Sequence, residues 1–242
     1  FDRILLNPER LGWITTDLRR VASLPDPVGE IFEEQVLSNG LNVRKQRVPL
    51  GVLAVIYEAR PNVTVDAAGL AIKSGNAVIL RGSSETLNSN RALVECIQIG
   101  LQNSGLPGGA VQFVDSPSRQ LVFDLLKLHN DIDMVIPRGG SALHNFCREN
   151  SLIPVITGGI GICHLFVDET AKLEKSLPVV RNAKIQRPSV CNALDTLLVH
   201  KTIAKRFVPM VTLALRKDGV NFRVDEKTAE YAPIPMPDYV QV

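Results

Sequence analysis

The apolar positions of this chain change rhythm as it proceeds. Residues Ile4 to Leu24 carry helical spacing and stop before the turn Pro25-Asp26-Pro27. Two alternating runs, Ile31 to Leu37 and Leu41 to Val48, flank Ser38-Asn39-Gly40, and Asn-Gly between such runs predicts a hairpin. From Gly51 onward short apolar runs alternate with longer amphipathic ones. The short runs, Val52–Tyr57, Ala77–Leu80, Val111–Val114 and Met134–Pro137, are predicted strands; Thr64–Ser74, Ser89–Asn103 and Pro117–Leu128 are predicted helices between them. Near-continuous apolar strands joined by helices mean a parallel sheet covered on both faces.

Further along, Pro154 to His164 reads as a strand, a glycine turn and another strand, a segment able to join two lobes. A helix from Leu173 to Ala183 and a strand from Thr196 to Val199 follow. After Gly219 periodicity is lost, and the proline-rich stretch Ala232 to Pro237 excludes regular structure. The expected fold is α/β. A doubly wound, Rossmann-like parallel-sheet domain spans 1–156, with the first helix and the hairpin included. A partial α/β domain covers 157–242.

Right-handed crossovers place the loops that follow the strands on one rim, where ligands bind in such sheets. Those loops read Glu58-Ala59-Arg60-Pro61-Asn62, Arg81-Gly82-Ser83-Ser84 and Arg138-Gly139-Gly140-Ser141. Each carries an arginine and leads into a helix N-terminus, a combination suited to phosphate or carboxylate. No G-x-G-x-x-G or G-x-x-x-x-G-K-[ST] occurs, so any dinucleotide binds through another loop geometry. G-x-S-x-G and H-E-x-x-H are also missing.

Composition narrows the class. The 242 residues are 45% apolar and 21% charged, an ordinary soluble globular balance. A net charge of +2 without a basic run argues against nucleic acid or a membrane surface as partner. No apolar stretch approaches the ~18 residues of a spanning helix. The chain opens on Phe1 rather than Met and reads as a segment of something longer. Its four cysteines show no metal-ligand spacing, so no metal is expected, and they read as reduced and intracellular. Cys96 falls with Leu93, Val94 and Ile97 on an apolar helix side and is expected in the core; Cys147 and Cys163 are taken as structural. A Cys163-His164 dyad is disfavoured because strand neighbours face opposite ways. Of the four histidines, only His164 merits a test.

Cys191 is different. It sits in Gln186-Arg187-Pro188-Ser189-Val190-Cys191-Asn192, a proline-containing loop between the helix and the strand. Loops on a rigid scaffold are where chemistry is presented. A thiol there is either a small packed hydrophobe or a nucleophile, and Arg187 nearby favours the reactive thiolate.

Four segments, YEARPNVTVDAAGLAIKSGNAVILRG, DMVIPRGG, IPVITGGIGICH and NAKIQRPSVCN, closely resemble bacterial γ-glutamyl phosphate reductases, or glutamate-5-semialdehyde dehydrogenases, of the aldehyde dehydrogenase superfamily. The match runs from the first helix to about Leu215, with the segments in the family's order and spacing. The resemblance implies NADPH-dependent reduction of L-glutamate 5-phosphate to glutamate 5-semialdehyde with release of phosphate, a step of proline biosynthesis in the cytoplasm. Cys191 falls at the family's nucleophile position, with its own N–H and the Asn192 side chain as oxyanion donors. Arg81 matches the basic residue that approaches the cofactor ribose. Ser84, with Glu85 one step later, stands where many NAD-preferring relatives carry a ribose-binding glutamate, which leaves room for a 2′-phosphate. Arg81, Gly82 and Ser84, with Arg138, Gly139 and Gly140, are therefore the candidate cofactor contacts. Charge matching makes Arg60, Arg138 and Arg187 candidates for the substrate's anionic groups and Glu58 for its ammonium, with Asn62 beside them. Hydrolytic relatives carry a water-activating glutamate in the segment matching Thr157 to Gly161. Its absence here speaks for reduction.

The resemblance also implies a homo-oligomer at full length and glutamate 5-kinase as pathway partner. It fades after about Phe222, and both an N-terminal helical segment and a long C-terminal one of the family are missing from this chain. Two alternatives stay open: a nucleotide-binding remnant without turnover, and another acylating dehydrogenase that uses coenzyme A.

Overall fold

A computed structural model of the chain describes residues 4–158 and 161–232. The chain divides into two compact units, Phe1–Gly159 and Ile160–Val242, where the sequence placed the boundary at 156/157.

In the first unit, helix α1 (Pro8–Ser23) starts with a proline in its first turn and an Asn7 cap, whose side chain accepts from the Arg10 N–H at 2.8 Å. Strands β1 (Ile31–Val36) and β2 (Asn42–Gln46) then pair as the expected antiparallel hairpin. Its turn requires Gly40, at φ +85°. The ladder is irregular between Phe32 and Gln35, where Glu33 takes the left-handed φ of +52°.

Four parallel strands form the sheet of this unit: β3 (Val52–Tyr57), β4 (Ala77–Arg81), β5 (Val111–Phe113) and β6 (Met134–Arg138), in the order β5-β4-β3-β6. Helices α2 (Asn62–Lys73), α3 (Leu87–Asn103), α4 (Gln120–Leu125) and α5 (Ser141–Asn150) connect or follow them. Alternate residues of β3 serve two separate cores. Leu53, Val55 and Tyr57 pack with Ala68 and Ala71 of α2 and Val94 and Leu101 of α3. Ala54 and Ile56 pack with Val122 and Leu125 of α4 and Cys147 of α5. Both faces are thus covered, which is why the strands read as unbroken apolar runs. At the other end of the strands, Asn76 Oδ1 and Asp133 Oδ2 accept from the N–H groups of Gly51 and Val52, both at 2.8 Å, and pin the start of β3.

The second unit is thinner. Strands β7 (His164–Val167) and β8 (Thr196–Val199) pair in parallel, with His164 opposite Thr196. Helices α6 (Leu173–Ile185) and α7 (Lys201–Lys217) cover them, and Val167, Leu173, Val180, Phe207 and Val211 form the core. A short helix α8 (Glu226–Ala229) follows, capped by Asp225.

Four local expectations change. Cys96 is exposed, not core, because the buried stripe of α3 runs through Asn90, Val94 and Leu101 and Cys96 lies off it. The strand expected after Pro154 shrinks to one bridge, Val155 to Val135; Gly159 and Ile160, the middle of the glycine turn, lie outside the described residues. Helix α7, unassigned from sequence, runs through Pro209, because Ile203, Phe207, Val211 and Leu215 all reach the core. The first helix begins at Pro8, not Ile4. The proline-rich tail expected to be irregular lies outside the described residues from 233 onward. No helix among the described residues is long and apolar enough to cross a membrane.

Candidate active site

The strand order puts the three arginine-bearing loops side by side. Arg81 pairs with Ile56 and Arg138 with Tyr57, so the loops leave β4, β3 and β6, three adjacent strands, at the same end. Chain order reverses between β3 and β6, since β4 and β5 build outward on one side and β6 returns to the other. The crevice beyond such a reversal is where ligands bind in open α/β sheets.

Two of these loops are joined directly. The Gly140 N–H donates to Glu58 Oε1 at 3.1 Å, and the Glu58 N–H donates to the Arg138 carbonyl at 3.0 Å. Gly139 lets the Glu58 carboxylate lie against the backbone here, since a Cβ would stand 2.6 Å from its carboxyl carbon and the side chain would have to shift. Glu58 therefore places a carboxylate at the N-terminus of α5. Asn62 begins α2 and donates to Asp66 Oδ2 at 3.0 Å. Arg60 is half-buried and Arg138 is exposed.

Arg81 does not sit in solvent. It is buried, with Nη1 donating to the Gly82 carbonyl at 2.7 Å and Nη2 to the carbonyls of Pro117 and Ser118 at 3.2 and 3.3 Å. It thereby ties the loop after β4 to the one after β5. Burial and the nearby Arg119 charge lower its affinity for its proton. Its Nε is buried without a hydrogen-bond partner among the described residues. Sequence reasoning took this residue for one of three similar rim cations, but its packing sets it apart.

Behind Gly82 runs a chain of buried polar groups. Tyr57 OH meets Thr64 Oγ1 at 2.7 Å, Thr64 Oγ1 donates to Asn90 Oδ1 at 3.1 Å, and Asn90 Nδ2 donates to Thr86 Oγ1 at 3.0 Å. Ser83 Oγ lies 3.3 Å from Thr86 Oγ1 and continues it. Burial pushes the Tyr57 phenol up to about 12, against the pull of its bond to Thr64. Gly82 lies directly on the Asn90 amide and the Tyr57 ring, where a side chain would collide. A fully partnered buried network of this kind fixes the backbone that rests on it. Ser84, beyond it, is exposed and starts a 3-10 turn leading to α3. None of Thr64, Thr86 or Asn90 was a sequence candidate; polar residues inside apolar-flanked helices were the available signal. Asp66 was also missed. Burial raises its pKa, the bond from Asn62 opposes this, Asp17 adds to the rise and Arg138 lowers it.

In the second unit Cys191 lies on an exposed turn between α6 and β8. Two single-turn bonds shape the turn, Val190 N–H to the Arg187 carbonyl at 3.3 Å and Ala193 N–H to the Val190 carbonyl at 3.2 Å. Buried Ala193 and Leu194 anchor its far end, while Arg187 and Asn192 are exposed. Cys163, treated from sequence as structural, is in contact with this turn: its Sγ donates to the Cys191 carbonyl at 3.3 Å. The parallel pairing of β7 and β8 brings them together across 28 positions of sequence, a proximity that spacing alone does not announce. The His164 ring contacts the Ile162 carbonyl through Nδ1 at 2.8 Å. Among the described residues no group of His, Cys, Asp or Glu is arranged to hold a metal.

Residues 19–234 match the sequence profile of the aldehyde dehydrogenase family. The γ-glutamyl phosphate reductase of Roseiflexus castenholzii is 58% identical over 226 residues, 93% of this chain and 53% of that protein. The crystal structure of the γ-glutamyl phosphate reductase of Thermotoga maritima superposes with a TM-score of 0.89 at 46% identity, covering 98% of this chain and 57% of that one. An engineered glycolyl-CoA reductase with bound NADP+ shares the fold, with a TM-score of 0.68 at 21% identity over 88% of this chain and 48% of that one. The chain spans about half the length of the curated relatives it matches. With most of its length inside the matching profile, the chain belongs to the aldehyde dehydrogenase family.

Proposed function

We propose that this chain carries the cofactor-side sheet and the nucleophile of an NADPH-dependent reductase that converts L-glutamate 5-phosphate to L-glutamate 5-semialdehyde and releases phosphate. The observation behind it is the exposed thiol of Cys191 on its proline-containing turn, in a chain 58% identical to a γ-glutamyl phosphate reductase.

An acyl phosphate has a good leaving group. The Cys191 thiolate attacks the acyl carbon, the carbon–oxygen bond to phosphate breaks, and a thioester remains on the chain. The oxygen that gains charge in this step needs donors, and the Cys191 N–H and the Asn192 amide are the groups proposed for it. The exposed Arg187 four residues before Cys191 is proposed to hold an anionic group of the substrate. Charge matching proposes Arg60, Asn62, Arg138 and Glu58 for the substrate's carboxylate and ammonium.

The rim fits a dinucleotide. The buried Nε of Arg81, without a protein partner among the described residues, is a donor available to a ligand oxygen. Gly82 brings the backbone to the rim surface on a fixed polar bed. Arg81, Gly82 and Ser84 are proposed to hold the ribose side of NADPH, and Arg138, Gly139 and Gly140 to border it. Ser84 stands in place of a carboxylate, with Glu85 one position later, and is proposed to leave room for a 2′-phosphate. The chemistry a bound reduced nicotinamide supplies is hydride donation to the thioester carbon. No carboxylate stands among Thr157, Gly158 and Gly161 to activate water against that thioester.

The test runs the reaction backwards. NADPH formation from glutamate semialdehyde and NADP+ is followed with and without inorganic phosphate, and with coenzyme A in its place. Phosphate-dependent turnover that falls by roughly 10³-fold or more in Cys191→Ser is expected, the scale seen when a covalent nucleophile is removed. Turnover that ignores phosphate, needs coenzyme A, or survives the substitution overturns the reading.

A further inference from the structure

We propose that Cys163 and Cys191 form a thiol pair that peroxide converts to an intrachain disulfide, with Cys163 as the resolving thiol. The inference rests on the reading of Cys191 as the reactive thiol. What it adds is a modification site in which Cys163 acts on Cys191.

The geometry comes first. Cys163 Sγ lies 3.3 Å from the Cys191 carbonyl oxygen. A carbonyl oxygen is about 2.4 Å from its own Cα, so this sulfur is no more than about 6 Å from the Cys191 Cα. Disulfides need Cα atoms roughly 4.4–6.8 Å apart, so closing the pair requires rotation of the Cys191 side chain and movement of its exposed turn. The two residues are held unequally. Cys163 is fixed at the mouth of the β7–β8 ladder, its carbonyl accepting from Asp195 and Thr196 N–H at 3.1 and 3.0 Å and its own N–H reaching Asp195 Oδ2 at 3.5 Å. Cys191 rides on an exposed turn shaped by single-turn backbone bonds. A fixed thiol beside an accessible one on an adjustable loop is the arrangement in which a sulfenic acid is captured before it oxidises further. Of the remaining cysteines, Cys147 is buried in the first unit's core and Cys96 is exposed on α3 of that unit.

The step balances with hydrogen peroxide as the oxidant. The Cys191 thiolate attacks one peroxide oxygen, the O–O bond breaks, and hydroxide leaves and takes up a proton as water. Sulfur is oxidised by two electrons to the sulfenic acid. The Cys163 sulfur then attacks the Cys191 sulfur; the S–S bond forms, the S–O bond breaks, and a second water leaves with the Cys163 proton. A dithiol reductant reverses the outcome.

The experiment treats the whole chain with hydrogen peroxide, blocks remaining thiols with iodoacetamide and maps the peptides by mass spectrometry. The Cys96→Ser variant runs in parallel to remove the other exposed thiol. Expected is a Cys163–Cys191 peptide pair lighter by two hydrogens, present in both proteins and lost on reduction. In Cys163→Ser the pair is lost, and Cys191 advances to the sulfinic acid, which dithiothreitol does not recover. Cys191 oxidised to sulfinic acid while Cys163 remains alkylated, or Cys191 paired with Cys96, overturns the proposal. Because the readout is thiol chemistry mapped by mass, it stands apart from turnover. Failure of the pair leaves a phosphate-dependent reductase intact, and failure of turnover leaves the disulfide map unchanged.

Discussion

The two units use the same kind of strand in opposite circumstances. In the first, β3 is flanked on both edges and buried on both faces, and every residue from Leu53 to Tyr57 is at most 7% exposed. In the second, β7 and β8 carry the short apolar runs 165–167 and 197–199 but serve one core, so Phe166 is 57% exposed and Leu198 47%. Parallel strands are ordinarily covered on both sides. Within the described residues nothing covers the second face of β7 and β8. The apolar sequence of a strand thus reports the burial it is built for, and the two units differ in how much of that burial these residues supply. The chemistry divides along the same line. The rim of the first unit rests on a fixed polar bed, whereas the thiol of the second sits on an exposed turn.

Core truncation tests this contrast with the largest effect. Phe207 is fully buried in the one core of the second unit, and Phe207→Ala is expected to remove about 3–5 kcal/mol. Leu80→Ala in the first unit is expected to remove about 2–5 kcal/mol, yet the core beneath the opposite face of that sheet is left untouched. Limited proteolysis separates the outcomes: Phe207→Ala should expose the second unit to rapid cleavage while a fragment of the first persists. Joint loss of both units would break the comparison.

Gly82→Ala probes the polar bed with a smaller effect. The new methyl meets the Asn90 amide and the Tyr57 ring, an overpacking that costs about 1–3 kcal/mol. Because Arg81 is tied into the same loop, NADP+ affinity measured by calorimetry should weaken together with thermal stability. A variant as stable as the parent and unchanged in NADP+ affinity would remove the bed from its positioning role.

Much of this architecture is legible from periodicity. Val52–Tyr57 and Thr196–Val199 emerge at the residues expected, because unbroken apolar runs bounded by Gly51 on one side and polar loops on the other leave little choice. The adjacency of the three arginine loops follows from a parallel sheet. The distinct fate of Arg81 does not, since it depends on the carbonyls of Pro117 and Ser118, more than thirty positions away. Helix α7 was hidden by Pro209, whose local preference is overridden by the packing of Phe207 and Val211. Cys96 was misplaced because Leu93, Val94 and Ile97 surround it in sequence, while a helix buries only one stripe. The contact between Cys163 and Cys191 is a product of strand pairing that local pattern cannot express. Where a residue's role depends on distant backbone, sequence supplies the candidate and the fold supplies the neighbour.

The central claim is that Cys191 carries the acyl group, and intact-mass spectrometry tests it most directly. The chain is incubated with glutamate semialdehyde and NADP+ in phosphate-free buffer, then with phosphate added. One γ-glutamyl thioester per chain, mapped to Cys191 and discharged by phosphate, is the expected result. A chain that forms NADPH with no adduct on Cys191, or an adduct that phosphate leaves in place, would contradict it.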